Sequence, residues 1–246
     1  MNTLKQSSRV SVAVAGSRVL GLVRESLFAA LFGGGAIADA FQVAFRIPNL
    51  LRDLLAEGAL SSAFVPTFTQ TLTREGPDAA RALARLMLGL VLMVTGLLTA
   101  LGVVFAEPIV QAISLGFAGD AEKVALAVQL TRVMMPILAL MSIGAVWMGV
   151  LNAQRRFMPP ALAPLAFNAV SIGVGVVLMV SGHEADASIR WWSLGATLAG
   201  LAQAVIQVPS LWRLGYRPWP RLRGALSHPG VRQVARLMAP AVLGLA

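Results

Sequence analysis

The sequence predicts an all-α polytopic membrane protein: a lobe of six transmembrane helices followed by the start of a seventh. Three observations carry that prediction. The 246 residues are 57% hydrophobic and 13% charged, whereas a soluble domain carries about 25% charged residues. Six apolar runs, at 10–32, 41–71, 83–106, 124–151, 158–181 and 190–213, each reach the roughly 20 residues that a spanning helix needs. Basic residues outside the runs gather on alternate connections.

Taken in order, the first run has a basic start in Lys5 and Arg9 and small residues in AVAG. It continues past Arg18 to Phe32, longer than the h-region of a signal peptide, so a retained helix is expected. The glycines at 33–35 make a flexible turn into the second run, which Pro48 and Pro66 interrupt. Carbonyls freed by such breakers need a partner or a cavity, as a gating element would supply. The third, fifth and sixth runs hold no charge beyond their ends. The fourth contains Arg132, with Pro136 one turn on, and this arginine is expected to snorkel or pair locally. Small residues at packing spacings (Ala145 with Gly149, Gly195 with Ala199, Ala196 with Gly200) let helices approach closely. Asn168, Gln203 and Gln207 are expected to hydrogen-bond between helices, and Met134, Met135 and Trp147 to pack.

The segment Ser227–Arg236 reads as interfacial. Pro229 suits a helix start. Val231, Val234 and Ala235 form an apolar stripe, and Arg232 and Arg236 are placed for lipid headgroups. The chain therefore divides into a lobe over 1–226 and, over 227–246, an amphipathic segment leading into a truncated seventh helix. The final LMAPAVLGLA is too short to cross a bilayer, which suggests a piece of a longer protein.

Charge orients the spans. Lys5, Arg9, Arg74, Arg81, Arg85, Arg155, Arg156, Arg213, Arg217, Arg221, Arg223, Arg232 and Arg236 share one side with only Glu75 and Asp78. The other side has Lys123 and Arg190 against Asp39, Glu107, Asp120, Glu122, Glu184 and Asp186. The positive-inside rule puts the N-terminus in the cytoplasm. Trp191 and Trp192 are predicted at the outer interface, and Trp212, Tyr216 and Trp219 at the inner one.

Several functions lack the residues they need. The chain has no cysteine and only two histidines, far apart at His183 and His228, so metal-ligand clustering has little material. The net charge of +9 is not arranged as a basic patch interleaved with aromatics, so no nucleic-acid partner is expected. No nucleophile–base grouping or Walker-type glycine loop occurs, and no catalysis or cofactor is expected. Glu25 or Asp53 as the base of an intramembrane hydrolase is a weak alternative without an identifiable partner. A channel would repeat its charges around a pore. A carrier with a midplane cavity fits better.

That preference rests on eight charges left inside the runs: Arg18, Arg24, Glu25, Arg46, Arg52, Asp53, Glu57 and Arg132. All but Arg132 fall in the first two runs. Each charge costs about 2.5–3.5 kcal/mol at a bilayer centre, so they must face one another or water. At 100° per residue, Arg18 and Glu25 share a stripe, as do Arg46 and Asp53, while Arg24 and Arg52 lie about 120° away. Asp53 and Glu57 form an acidic step. Four arginines against three acids leave at least one guanidinium over, which predicts a net-cationic cavity for an anion. Guanidinium forks suit phosphate or diphosphate oxygens. Internal ion pairs that fix helix register are the plainer alternative.

The stretches SRVLGLVRES at 17–26 and ADAFQVAFRIPNLLRDLLAEGALSSAFVPTF at 38–68 strongly resemble the MurJ/MviN family of bacterial lipid II flippases. That family belongs to the multidrug/oligosaccharidyl-lipid/polysaccharide exporter superfamily. Weaker likeness runs through MMPILALMSIGAVWMGVLNAQRRFMPPALAP at 134–164, and the whole resembles the family's N-terminal lobe. The resemblance implies a MATE-like exporter fold that moves lipid II, an undecaprenyl-diphosphate glycan, from the inner to the outer leaflet by alternating access. The lobe would sit in the cytoplasmic (inner) membrane beside a C-terminal lobe absent from this sequence. It implies that Arg18, Arg24 and Arg52 engage the diphosphate, that Asn49 and Asp39 occupy positions tied to function, and that Glu57 is a gate residue. Glu25 stands where the family often has Asp. Asp53 departs from members with a basic residue there, so its pairing with Arg46 is expected to be particular to this chain. Export of another polyprenyl-diphosphate glycan or an amphipathic drug, and a non-transporting membrane scaffold, remain alternatives.

Overall fold

A computed structural model describes residues 3–53, 60–117, 119–182, 184–217 and 219–242. The order is α1 (Thr3–Phe32), α2 (Ala36–Arg52), α3 (Ser61–Arg74), α4 (Pro77–Val104), α5 (Ala106–Ile113), α6 (Ala121–Met134), α7 (Pro136–Ala153), α8 (Met158–Ser181), α9 (Ala185–Val205), α10 (Val208–Arg213) and α11 (Pro229–Val242). No strand occurs among the described residues.

Each predicted span has its counterpart, several of them in two pieces. The second divides into α2 and α3, with Pro48 and Pro66 inside these helices. The fourth divides at Pro136 into α6 and α7, because proline ends one helix and suits the first turn of the next. The connection after the third span contains α5, which the sequence reading left as loop. Among the described residues, four stretches are long and apolar enough to cross a membrane: Pro77–Val104, Ala121–Ala153, Met158–Ser181 and Ala185–Arg213. The protein is thus a multi-pass membrane protein.

Packing follows the small residues. α8 lies between α1 and α9. A side chain at Gly195 would meet Val174 at 2.8 Å, and one at Gly175 would lie 2.6 Å from Trp192. Asn168 Nδ2 donates to the Ser17 carbonyl at 3.0 Å, joining α8 to α1. Gln207 Nε2 donates to the Gly144 carbonyl at 3.2 Å. The turn at 33–35 opens with Gly33 at φ 62°, a left-handed value that costs glycine nothing.

Three expectations change. Trp192 is buried against Phe28 and Phe32 rather than interfacial, while Trp191 is exposed. A helix presents successive residues 100° apart, so one of the pair faces the core. Tyr216 is also buried, its hydroxyl accepting from Gln154 Nε2 at 2.7 Å. In α11, Val231 and Val234 bury against the core beside α3 and α4, and Ala235 is exposed. The buried face centres between Val231 and Val234, and Ala235, about 100° round from Val234, falls at its edge.

Candidate functional site

Two adjoining cavities open where α1, α2, α8 and α9 meet. One, about 510 Å³, is lined by Arg24, Glu25, Arg46, Asn49 and Asp53 together with Phe28, Phe41, Phe45, Phe167 and Trp192. The other, about 370 Å³, is lined by Arg24, Asn49 and Arg52, with Met141, Phe167, Asn168 and Gln203. They share Arg24, Phe45, Asn49 and Phe167 and form one cleft. Among the described residues, three guanidinium groups and two carboxylates line the cleft, a net positive charge.

The ion pairs differ from those that helical stripes suggested. Arg24 Nη2 donates to Glu25 Oε1 at 2.8 Å, and Arg52 Nη2 to Asp53 Oδ1 at 2.7 Å. Each arginine is held by the acid next in sequence, so Arg18 does not pair with Glu25, nor Arg46 with Asp53. The physical reason is axial distance. Residues seven apart share a face but stand about 10 Å apart along the axis, whereas a long arginine stem swings readily onto its neighbour. Both acids are mostly in the open, with side chains 70% and 56% exposed. Such pairs are worth little and are easily exchanged.

Arg24 is further positioned over the Phe167 ring at 5.7 Å. Arg52 also reaches Met141 Sδ from Nη1 at 3.4 Å. Asn49 contributes something different: its Oδ1 is buried and has no hydrogen-bond donor among the described residues. Ser61 Oγ, at the start of α3, is in the same condition. A buried unpaired polar atom is costly, so the cleft holds an open position for a ligand's hydroxyl or amide.

Arg18 is exposed and lines neither cavity. It lies one turn before Gly21, which lines the smaller one. Asp39 stands apart, accepting from Lys123 Nζ at 2.6 Å and tying α2 to the first turn of α6. Lys123 also sits 4.2 Å from the Phe117 ring centre. Glu57 lies outside the described residues. Arg132 bonds the Val103 carbonyl through Nε at 3.4 Å and faces a separate cavity of about 680 Å³ between α5 and α6, in line with local pairing.

Sequence reasoning missed the aromatic wall. Phe28 stacks with Phe32, Phe41 and Trp192 at centroid distances of 5.0, 4.9 and 5.5 Å. The signal was available in the four-residue spacings of Phe28 with Phe32 and of Phe41 with Phe45. The wall gives the arginines a low-dielectric backing, which strengthens their attraction for an anion.

The model of the family described as "Lipid II flippase MurJ" matches residues 28–246. The chain is 36% identical over 247 residues to a lipid II flippase MurJ of Burkholderia cenocepacia, covering 100% of this chain and 47% of the relative. It is 37% identical over 249 residues to a probable lipid II flippase MurJ of Rhizobium meliloti, covering 99% and 45%. Among solved structures, a lipid II flippase MurJ in an inward closed conformation superposes with TM-score 0.75 at 23% identity, over 96% of this chain and 47% of that one. A MATE in complex with MaD3S gives TM-score 0.73 at 14% identity, over 97% and 52%. These two show the fold, a lobe of a MATE-like exporter. The chain spans about half the length of the curated relatives it matches.

Proposed function

Because the chain belongs to the lipid II flippase MurJ family, we propose that it forms the cation-bearing lobe of a flippase for lipid II, working by alternating access and without catalysis. The observation that carries this reading is the cleft itself. Arg24, Arg46 and Arg52 converge with an unpaired Asn49 acceptor in front of an aromatic wall.

In this reading the diphosphate takes the guanidinium donors of Arg24 and Arg52, displacing the exposed Glu25 and Asp53 carboxylates. An anion held by both part-buried forks at once gains more than a single exposed acid does. Exchange between the neighbouring acid and the substrate is therefore the gating step at each arginine. Asn49 accepts from a hydroxyl or amide of the glycan or peptide. Arg46 adds its charge to the cleft, while the exposed Arg18 would act with the rest of the full-length protein, as would Asp39 and Glu57 at its gates.

The setting is the bacterial inner membrane with the N-terminus in the cytoplasm, from the basic connections. The cysteine-free chain allows single cysteines at Ser8 and Ala187 to be labelled from either side, and labelling of Ser8→Cys from outside would reverse the orientation.

Lipid II translocation by the full-length protein in vesicles tests the function. Loss of movement in Arg24→Ala and Arg52→Ala, with wild-type folding, supports the cleft assignment, and unchanged rates in both sink it. Equal movement of undecaprenyl diphosphate bearing other glycans would widen the substrate to that class.

A further inference from the structure

A second basic cavity lies away from the cleft, at the arginine-rich end of the lobe. It has a volume of about 300 Å³ and is enclosed by α4, α7 and the chain after α10. Arg81, Arg85, Arg217 and Arg221 line it, with Asp78 as its one acid. Arg81 Nη2 donates to Asp78 Oδ1 at 2.6 Å, so that acid is already engaged.

Arg85, Arg217 and Arg221 are exposed, but the backbone around them is fixed. The Arg221 backbone N–H donates to the Arg85 carbonyl at 2.9 Å, and Arg85 Nε donates to the Trp219 carbonyl at 3.3 Å. Gly89, one turn along α4, has no room for a side chain because the Arg221 carbonyl lies against it. The segment after α10 is thus laid along α4, so that Arg217 and Arg221 line the same cavity as Arg81 and Arg85. At the back, Trp147 lines the cavity with an indole N–H that is buried and without an acceptor among the described residues. Tyr216 also lines it, its oxygen satisfied by Gln154 and its own proton uncommitted among the described residues. Burial raises the Tyr216 phenol above its ordinary range, keeping that proton in place.

We propose that this cavity is a binding site for a phosphate-bearing anion. Four guanidinium groups against one engaged carboxylate, with two further donors behind them, suit oxygens that accept several hydrogen bonds at once. The volume admits a phosphodiester head but not a diphosphate carrying a disaccharide. Trp212, Trp219, Leu222 and Leu226 are exposed on the flanking segment, the kind of side chain found at a membrane interface. A phospholipid headgroup can therefore reach the cavity while its tails lie against that apolar rim. Such a lipid would pin the segment after α10 to α4.

The full-length protein in detergent, titrated with dioctanoyl phosphatidylglycerol, dioctanoyl phosphatidylcholine and inorganic phosphate and read by native mass spectrometry, tests this. Phosphatidylglycerol should be retained at a midpoint about tenfold below phosphatidylcholine. The double variant Arg217→Gln/Arg221→Gln, which removes no side-chain hydrogen bond recorded among the described residues, should raise that midpoint about tenfold. Arg213→Gln/Arg223→Gln removes the same charge from the same segment outside the cavity and should leave it unchanged. Trp147→Phe, which costs no existing hydrogen bond, should weaken binding about threefold. If millimolar phosphate displaces the lipid, the occupant is the free anion; if not, it is the headgroup, and both outcomes support the site. Equal retention of the two lipids without displacement by phosphate, or equal weakening by the two double variants, would overturn it.

Discussion

Asn168 and Asn49 both sit in membrane-embedded helices beside the same cleft, yet they are treated oppositely. Asn168 on α8 donates to the Ser17 carbonyl and staples α8 to α1. Asn49 on α2 keeps a buried oxygen without a donor. The contrast extends to their helices. α8 and α9 are charge-free within their packed stretches and close through Gly175 and Gly195. α2 carries Arg46, Arg52 and a proline, and Asp53 at its C-terminal end pairs with the adjacent Arg52. One region spends its polar groups on holding helices together. The other leaves them available, as a binding surface must, since groups already satisfied within the protein have nothing to offer a ligand.

The sharpest way to break this contrast is to damage the scaffold. Gly195→Val would force a side chain onto Val174, whose β-branched shape has one preferred rotamer and cannot swing aside. Overpacking of this kind costs up to about 3 kcal/mol. The expected result is a lower thermal midpoint and poor membrane yield, and a midpoint equal to wild type would mean the α8–α9 contact is slack. The cleft should behave the other way. Arg24→Ala with Arg52→Ala should leave the thermal midpoint near wild type, because both pairs are with exposed acids. Translocation by the full-length protein should fall about a hundredfold, the loss of charge-assisted hydrogen bonds worth about 2.7 kcal/mol. A large loss of stability with little loss of rate would make these arginines register-fixing instead.

How much of this was legible in the sequence divides along the same line. Apolar length and charge alternation are one-dimensional properties, so the helical runs, the turn at 33–35 and the concentration of charge in the first two runs could be read directly. The 100° rule also placed Arg24 and Arg52 away from Arg18 and Arg46. It could not name their partners, because angle says nothing about axial reach, and Glu25 and Asp53 turned to their immediate neighbours. Trp192 and Tyr216 matched an interfacial pattern by residue type, but their burial depends on which neighbours the fold brings over them. The cavity of Arg81, Arg85, Arg217 and Arg221 joins residues more than 130 positions apart through one backbone contact and a glycine. No periodicity encodes that.

Smaller effects separate the two asparagines themselves. Asn168→Leu should cost about 1 kcal/mol, through the lost hydrogen bond between α8 and α1. Asn49→Leu removes an oxygen that has no donor, so stability should hold or rise by up to about 1 kcal/mol while translocation falls. Chemical denaturation of the two variants beside wild type decides it. If both lose stability equally, Asn49 is ordinary packing and the idea of an open acceptor fails.

The smallest effect concerns Tyr216, at the arginine-rich end, whose oxygen accepts from Gln154. Tyr216→Phe deletes the hydrogen bond from Gln154 and should cost less than about 1 kcal/mol at neutral pH. Its pH dependence has a definite sign. Burial is the largest influence and raises the phenol, outweighing the lowering by Gln154 and Arg81. The folded protein then keeps a proton that the unfolded chain gives up near pH 10. Stability from this group is complete below that pH and is lost as pH rises toward the folded value. The gap between wild type and Tyr216→Phe should therefore narrow or reverse on the alkaline side, since phenylalanine has no proton to lose. A gap that widened with pH would mean the tyrosinate is stabilised by the neighbouring arginines more than burial opposes it. That would place the arginine-rich end with the cleft, as a surface whose cations are free to act.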